Sequence, residues 1–222
     1  FGYWIWKSFF VNKTLNERIN ENDYLIYFDS GAIFLRKIKE LISIMIKNKT
    51  DIIVFEQHFI ERRWTKRDIF ITLDCDKPKY TNSKQIYGGF MILKKTNFSV
   101  FFIEQWLKYC QYKRLILDTP NELGKPNYPD FRENRHDQSI FSLLAKKYNL
   151  LTLKDPTEWR YNYHQNYSKS IEIELRNHPL YFYLARNLEG TTFKQIKNNK
   201  RFINYNKFLL RHNDTSLDRI QI

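Results

Sequence analysis

Residues 23–34 read DYLIYFDSGAIF, a run of strand-forming residues, YLIYF, that stops on Asp29, Ser30 and Gly31. The run has the length and composition of a strand, and the acid, serine and glycine after it are turn punctuation. Upstream, residues 8–19 (SFFVNKTLNERI) place Phe10, Val11, Leu15 and Ile19 on one helical stripe. Downstream, residues 34–46 (FLRKIKELISIMI) are amphipathic with a helical period, and residues 51–57 (DIIVFEQ) are an apolar run of buried-strand length. The order helix, strand, helix, strand predicts an α/β layer structure around a mostly parallel, mixed sheet.

The pattern continues for most of the chain. Residues 69–73 (IFITL) suit a short helix or strand, KPKYTNSKQ is a polar connection, and IYGGFMILKK is a strand with a glycine pair inside it. Residues 97–112 predict an amphipathic helix capped by Asn97 or Ser99. Residues 118–134, rich in Pro, Gly and Asn, read as a loop, residues 137–148 as a helix and residues 150–154 as a strand. Beyond Asn166 the alternation fades. The chain therefore divides into a domain over residues 1–166 and a polar extension over 167–222, partly irregular and poorly ordered past His212.

A hydrophobic content of 42% with 17% aromatics excludes a disordered chain, and the absence of an uninterrupted apolar run of about 18 residues excludes a membrane helix. Cys75 and Cys110 are too few for a disulfide framework, and FGYWIWKSFF lacks the pattern of a signal peptide. A reducing cytoplasm is the expected compartment. The opening on Phe1 rather than Met reads as a piece of a longer or processed protein. A net charge of +13 fits nucleic acid, an anionic membrane surface or phosphorylated ligands, but the basic residues are spread along the chain without a nucleic-acid-binding motif. Much of that charge is the mark of a Lys-, Asn- and Ile-rich composition.

Several stretches can carry chemistry. Asp29 stands where a parallel strand would present a ligand, and Ser30 and Gly31 let a phosphate or metal approach the backbone; a turn-forming Asp fits that position equally well. Asp74 and Asp76 in TLDCDKP have acid-x-acid spacing but lead into a charged connection, which favours a solvated loop. His136 and Asp137 open a helix in NRHDQSIF, either as a cap or as a carboxylate able to accept a proton from a sugar hydroxyl. GYWIWK supplies Tyr3, Trp6 and Lys7, and ERRWTKRD supplies Lys66, Arg67 and Asp68. Each is more often core or surface than ligand platform when taken singly.

Taken together and in order, GYWIWKS, YLIYFDSG, WTKRD, QIYGGFMILKKTNFS and ENRHDQSIFSLL resemble a family of small glycosyltransferases of the GT-A fold, found in bacterial surface-polysaccharide clusters and in large viruses. The resemblance spans residues 2–151. It implies a nucleotide-binding α/β sandwich, a hexosyl or deoxyhexosyl donor carried on a nucleoside diphosphate, a glycan or polysaccharide acceptor, and a divalent cation, manganese or magnesium. Asp29 maps onto the leading acid of the cation motif and Asp137, with His136 beside it, onto the acceptor side. Tyr3, Trp6, Lys7, Lys66, Arg67 and Asp68 map onto donor contacts, and Gly88 and Gly89 onto a bare strand that lets sugar or acceptor pass. The family's second acid is replaced by Gly31, and its leading strand and helix are absent ahead of GYWIWK, which implies an N-terminally incomplete domain. No nucleic-acid partner is expected, and peripheral association with the inner face of the membrane is compatible with the charge. Two rival functions are a basic binding module for nucleic acid or other polyanions, and a catalytically inactive relative of the transferases.

Overall fold

The structure, a computed structural model, describes residues 2–157 and 180–184. It divides into two compact units, one built from residues 1–28 and 45–154 and the other from residues 29–44 and 155–222. The expected boundary at residue 166 lies outside the described residues, as does the expected disorder past His212.

In the first unit the elements run α1 (Ile5–Glu17), β1 (Tyr24–Phe28), β3 (Ile52–Ile60), α3 (Glu61–Trp64), α4 (Arg67–Thr72), α5 (Pro78–Thr81), β4 (Lys84–Ile86), β5 (Phe90–Lys94), α6 (Asn97–Cys110), α7 (Lys113–Ile116), α8 (Asp137–Lys147) and β6 (Leu151–Leu153). Helix α2 (Lys39–Asn48) has residues in both units, and the second unit holds β2 (Ala32–Phe34) and β7 (Phe182–Leu184).

The five-stranded sheet has the order β1-β5-β3-β4, with β6 also on β3. Strand β1 pairs antiparallel with β5, and β3 pairs antiparallel with both β5 and β4; β6 is parallel to β3. The expectation of a mostly parallel sheet is thus corrected to a mixed sheet dominated by antiparallel pairs. The physical reason is that an apolar run reports burial, not direction. Ile52, Ile53, Val54 and Phe55 are fully buried as expected, but the chain returns from α3–α5 along the same strand in the opposite sense. Residues 84–94 follow β3 as a strand broken at Tyr87, Gly88 and Gly89, so the expected glycine pair falls in the break rather than within a continuous strand.

Helix α1 buries Val11 and Leu15 of the expected stripe, with Lys7 and Ser8 in place of Phe10 and Ile19, and leaves Phe9 and Phe10 exposed. Helix α6 is capped by Thr96 rather than Asn97 or Ser99: Thr96 Oγ1 accepts from the Ser99 amide and Ser99 Oγ from the Thr96 amide, a reciprocal box. Its inner face, Phe102, Ile103, Trp106 and Cys110, packs into one core with Phe141 and Leu144 of α8 and with Val11 and Leu15. A fully buried Phe or Leu side chain is worth about 1.5–3 kcal/mol of transfer free energy, so this cluster is the principal reason α1, α6 and α8 stay together.

In the second unit β2 pairs antiparallel with β7 in the register Ala32↔Leu184, Ile33↔Tyr183 and Phe34↔Phe182. The Phe34 and Phe182 rings meet edge to face at 5.0 Å, and the Leu35 amide donates to the Tyr181 carbonyl at 2.9 Å. The tyrosine hydroxyl of Tyr181 donates to Glu40 at 3.3 Å, while burial, with the Glu40 charge, pushes its pKa to about 12. Part of what reads as a C-terminal extension is therefore a strand paired with the residues that follow Asp29 and Gly31.

Candidate active site

The N-terminal turn of α8 is where the site is built. His136 precedes the helix with φ 50° and ψ −115°, a conformation costly for a side-chain-bearing residue and over-determined by its surroundings. Its Nδ1 lies 2.9 Å from the Ile116 carbonyl, an acceptor only, so Nδ1 carries the proton and the neutral ring keeps its lone pair on Nε2. Asp118 stands behind at 3.7 Å from the same nitrogen. Tyr3 meets the imidazole edge-on at 4.7 Å and Trp4 stacks on it at 5.5 Å. Both aromatics sit at positive φ, 57° and 58°, so the strained turn before α1 is shaped to grip this ring. Nε2 makes no hydrogen bond among the described residues.

Asp137 follows, 3% exposed, and its Oδ2 lies 4.0 Å from Lys7 Nζ across α1 and α8. Trp106 Nε1 donates to the Asp137 carbonyl at 2.9 Å, and burial together with the Asp137 charge pushes the Cys110 thiol well above its ordinary value. Asp137 is thus a buried carboxylate that faces a buried ammonium between α8 and α1. Gln138 completes the turn: Oε1 accepts from the Gly88 amide at 2.9 Å, and Nε2 donates to Gln85 Oε1 at 2.7 Å and to Gln57 Oε1 at 3.1 Å. A Cβ on Gly88 would stand 3.0 Å from Gln138 Cβ, and one on Gly89 would stand 2.4 Å from the Tyr87 ring. The bare backbone at the glycine pair is occupied by the protein's own side chains.

Below this turn lies a buried acid that sequence reasoning missed. Glu61 is fully buried, accepts from Thr65 Oγ1 at 2.6 Å and from Lys146 Nζ at 2.6 Å, and is also hydrogen-bonded to Ser142 Oγ. Burial pulls the Lys146 pKa down and Glu61 opposes it. Ser139, Ser142 and Lys146, spaced at three and four along α8, form the polar stripe that receives Glu61 and Gln85. That stripe, polar residues at helical spacing within an otherwise apolar helix, was the available signal.

Lys66, Arg67 and Asp68 are spent on the long connection before α8. Lys66 Nζ donates to the Arg114 carbonyl at 2.7 Å and to Thr119 Oγ1 at 3.3 Å. Arg67 pairs with Asp76 at 3.1 Å and lies over the Tyr128 ring at 4.1 Å, while Tyr128 donates to Asp76 at 2.6 Å. Asp68, with no exposed surface, accepts from the amides of Glu122 and Leu123 at 2.7 and 3.1 Å. These three residues latch the loop rather than gather beside His136. Asp76, largely buried, joins the same latch, and Cys75 is fully buried, so the expected solvated loop at TLDCDKP is found only at Asp74, an exposed acid paired with Lys77, and the connection after it opens with α5.

Of the remaining sequence candidates, Tyr3 and Lys7 meet at the α8 turn, whereas Trp6 is 42% exposed on the outer face of α1. Asp29 is the first residue of the second unit, directly after Phe28, whose Cα partner in the sheet is Phe90. Gly31 sits at φ +83° with open space where a side chain would go. Among the described residues no group of three His, Cys, Asp or Glu is placed to hold a metal ion.

No protein-family model matches the sequence, and no curated protein matches it. Among solved structures, mouse xyloside xylosyltransferase 1 in its apo form is similar, with 13% identity over 82% of this chain and a TM-score of 0.40. The chain spans 62% of that protein's length. A likeness at this level says nothing about how this chain's site works. No helix among the described residues is long and apolar enough to cross a membrane.

Proposed function

We propose that the chain is a glycosyltransferase that moves a sugar from a nucleoside diphosphate sugar to a hydroxyl of a glycan or polysaccharide, with His136 as the base. The observation that carries this is the fixed tautomer of His136: the Ile116 carbonyl holds the proton on Nδ1, and Nε2 is left as an acceptor in a ring clamped by Tyr3 and Trp4. Ordered motifs around that residue, from GYWIWKS to ENRHDQSIFSLL, supply the substrate class.

In the reaction the acceptor oxygen attacks the anomeric carbon, the bond to the donor's diphosphate breaks with its electron pair, and the hydroxyl proton passes to Nε2 of His136. A base contributes about 10²–10⁴-fold when its pKa lies near the working pH. Asp137 and Lys7 are positioning residues in this scheme: they hold the first turn of α8, and so the imidazole before it, against α1. Single displacement on the acceptor side inverts the anomeric configuration. Asp29 is the proposed carboxylate for a manganese or magnesium ion that arrives with the donor's phosphates, and no step above depends on it. Cytoplasmic placement, with the +13 charge drawing the protein to an anionic membrane face, belongs to the same proposal.

The exposed aromatics Trp4, Trp6, Phe9 and Phe10 favour a second function, a polyanion-binding module that stacks bases on α1. Turnover of a panel of nucleoside diphosphate sugars by the wild type and by His136→Asn separates the two, because a binding module shows none and retains steeply salt-dependent oligonucleotide binding.

A further inference from the structure

A polar cleft lies at the far end of α8. It has a volume of about 360 Å³ and opens between the connection from α5 to β4, the last turn of α8 and strand β6, with Glu56 of β3 and Lys84 of β4 on its walls. Lys146, which lines it, comes ten positions after His136, about 15 Å along a helix that rises about 1.5 Å per residue. The cleft and the imidazole therefore belong to opposite ends of one helix.

The charge of the cleft is organised around Glu56. Lys84 Nζ lies 3.3 Å and Lys154 Nζ 2.9 Å from the same oxygen, Oε1, so one carboxylate draws two ammonium groups to one point. Lys146 also feels the Glu56 charge, and its hydrogen bond runs inward to Glu61 at 2.6 Å. An ammonium has three donors, and Lys146 spends one of them on Glu61. Lys79 lies over the Tyr80 ring at 4.7 Å and pairs with no carboxylate among the described residues. Four ammonium groups thus meet two carboxylates, Glu56 and Glu61, which leaves a surplus of two positive charges. By contrast, Lys13 and Lys77 each have an acid of their own, Glu17 and Asp74. The surplus is within reach of solvent: Lys79, Lys84 and Lys154 are exposed, and Lys146 keeps 15% of its side chain accessible.

Small-molecule sites have volumes of about 300–1,000 Å³, and this cleft is at the lower end of that range. A phosphomonoester carries nearly two negative charges and three acceptor oxygens, which matches both the surplus and the point-like donors of lysine. Tyr80 and Ile86 give the rest of such a molecule an apolar wall. We propose that this cleft binds a small phosphorylated molecule, its phosphoryl group held by Lys79, Lys84 and Lys146. The site stands apart from His136, so it does not rest on the transferase function proposed above.

The test is a titration of ¹⁵N-labelled protein with glucose 6-phosphate at fixed ionic strength, with glucose, inorganic phosphate and a short oligothymidylate in parallel. Backbone amide signals of residues 79–86 and 146–152 should shift saturably with glucose 6-phosphate and stay still with glucose. Inorganic phosphate should move the same signals with weaker affinity, because it lacks the part that meets Tyr80 and Ile86; equal affinity would reduce the site to one for free phosphate and overturn the larger ligand. Lys79→Gln with Lys84→Gln, both at exposed positions, should weaken binding at least about tenfold, or about 1.4 kcal/mol. Lys13→Gln with Lys108→Gln removes the same charge from exposed positions of α1 and α6 and should leave the affinity within about twofold, as expected for charges beyond the Debye length. Equal losses from the two double variants, no shift with either phosphate compound, or shifts confined to residues 135–138 overturn the site. Tighter binding of the oligonucleotide at the same signals, falling steeply with salt, overturns it in favour of a polyanion surface.

Discussion

Nδ1 of His136 lies 2.9 Å from the carbonyl oxygen of Ile116, and this contact decides which nitrogen can take a proton. The residue ahead of α8 is thereby a base with a fixed direction. Neutral His136 should show the less common Nδ1–H tautomer by ¹⁵N NMR, with Nε2 unprotonated. An Nε2–H signal in the neutral ring would remove the base.

The Lys7 and Asp137 side chains, 8% and 4% exposed, face each other at 4.0 Å. Removing one partner of a buried pair leaves a charge in a poor environment and costs about 3–5 kcal/mol. Lys7→Met should therefore lower the urea midpoint strongly, and Lys7→Met with Asp137→Asn should recover most of the loss. If the double variant is no better than the single one, the two charges do not act as a pair.

Asp68 receives two backbone amides from the loop between α7 and α8. Bonds to a charged acceptor are worth about 1.5–3 kcal/mol each, so Asp68→Ala should cost roughly 3 kcal/mol and loosen the loop. Endoproteinase Glu-C should then cut faster after Glu122, which is already exposed. Unchanged proteolysis would mean that the latch is held by Arg67 and Lys66 alone.

Burial, and then the charge of Lys84, hold the His58 pKa below its ordinary value of 6.5. The unfolded chain therefore takes up this proton first as the pH falls. Stability contributed by His58 is complete above 6.5 and is lost as the pH drops from there through the lower folded-state value. Denaturant midpoints at about pH 7.5 and pH 5 should differ less in His58→Gln than in the wild type. Equal slopes in the two proteins would assign the acid loss to other groups.

Much of this was legible in the residues. The YLIYF and DIIVF runs became β1 and the buried half of β3, and the apolar spacing after Asp137 became α8, because length and periodicity report burial directly. Strand direction was not legible, since it depends on which edge of β3 the 84–94 segment meets. WTKRD shows the same limit for a site: a dense string of charges looks alike whether it meets a ligand or the chain's own loop, and here Asp76, Thr119, Glu122 and Leu123 receive it. His136 was visible as a residue, but its direction as a base was not, because Ile116 lies twenty positions away and contributes only a carbonyl.

The most direct test of the central claim is transfer from a panel of nucleoside diphosphate sugars, with and without manganese, by wild type and His136→Asn, with donor affinity measured separately. A functioning base predicts turnover by the wild type, a fall of about 10²–10⁴-fold in kcat for the variant, little change in donor Kd, and a product of inverted anomeric configuration. Wild-type turnover that His136→Asn leaves intact would contradict the assignment of the base, and no turnover of any donor would contradict the transferase itself.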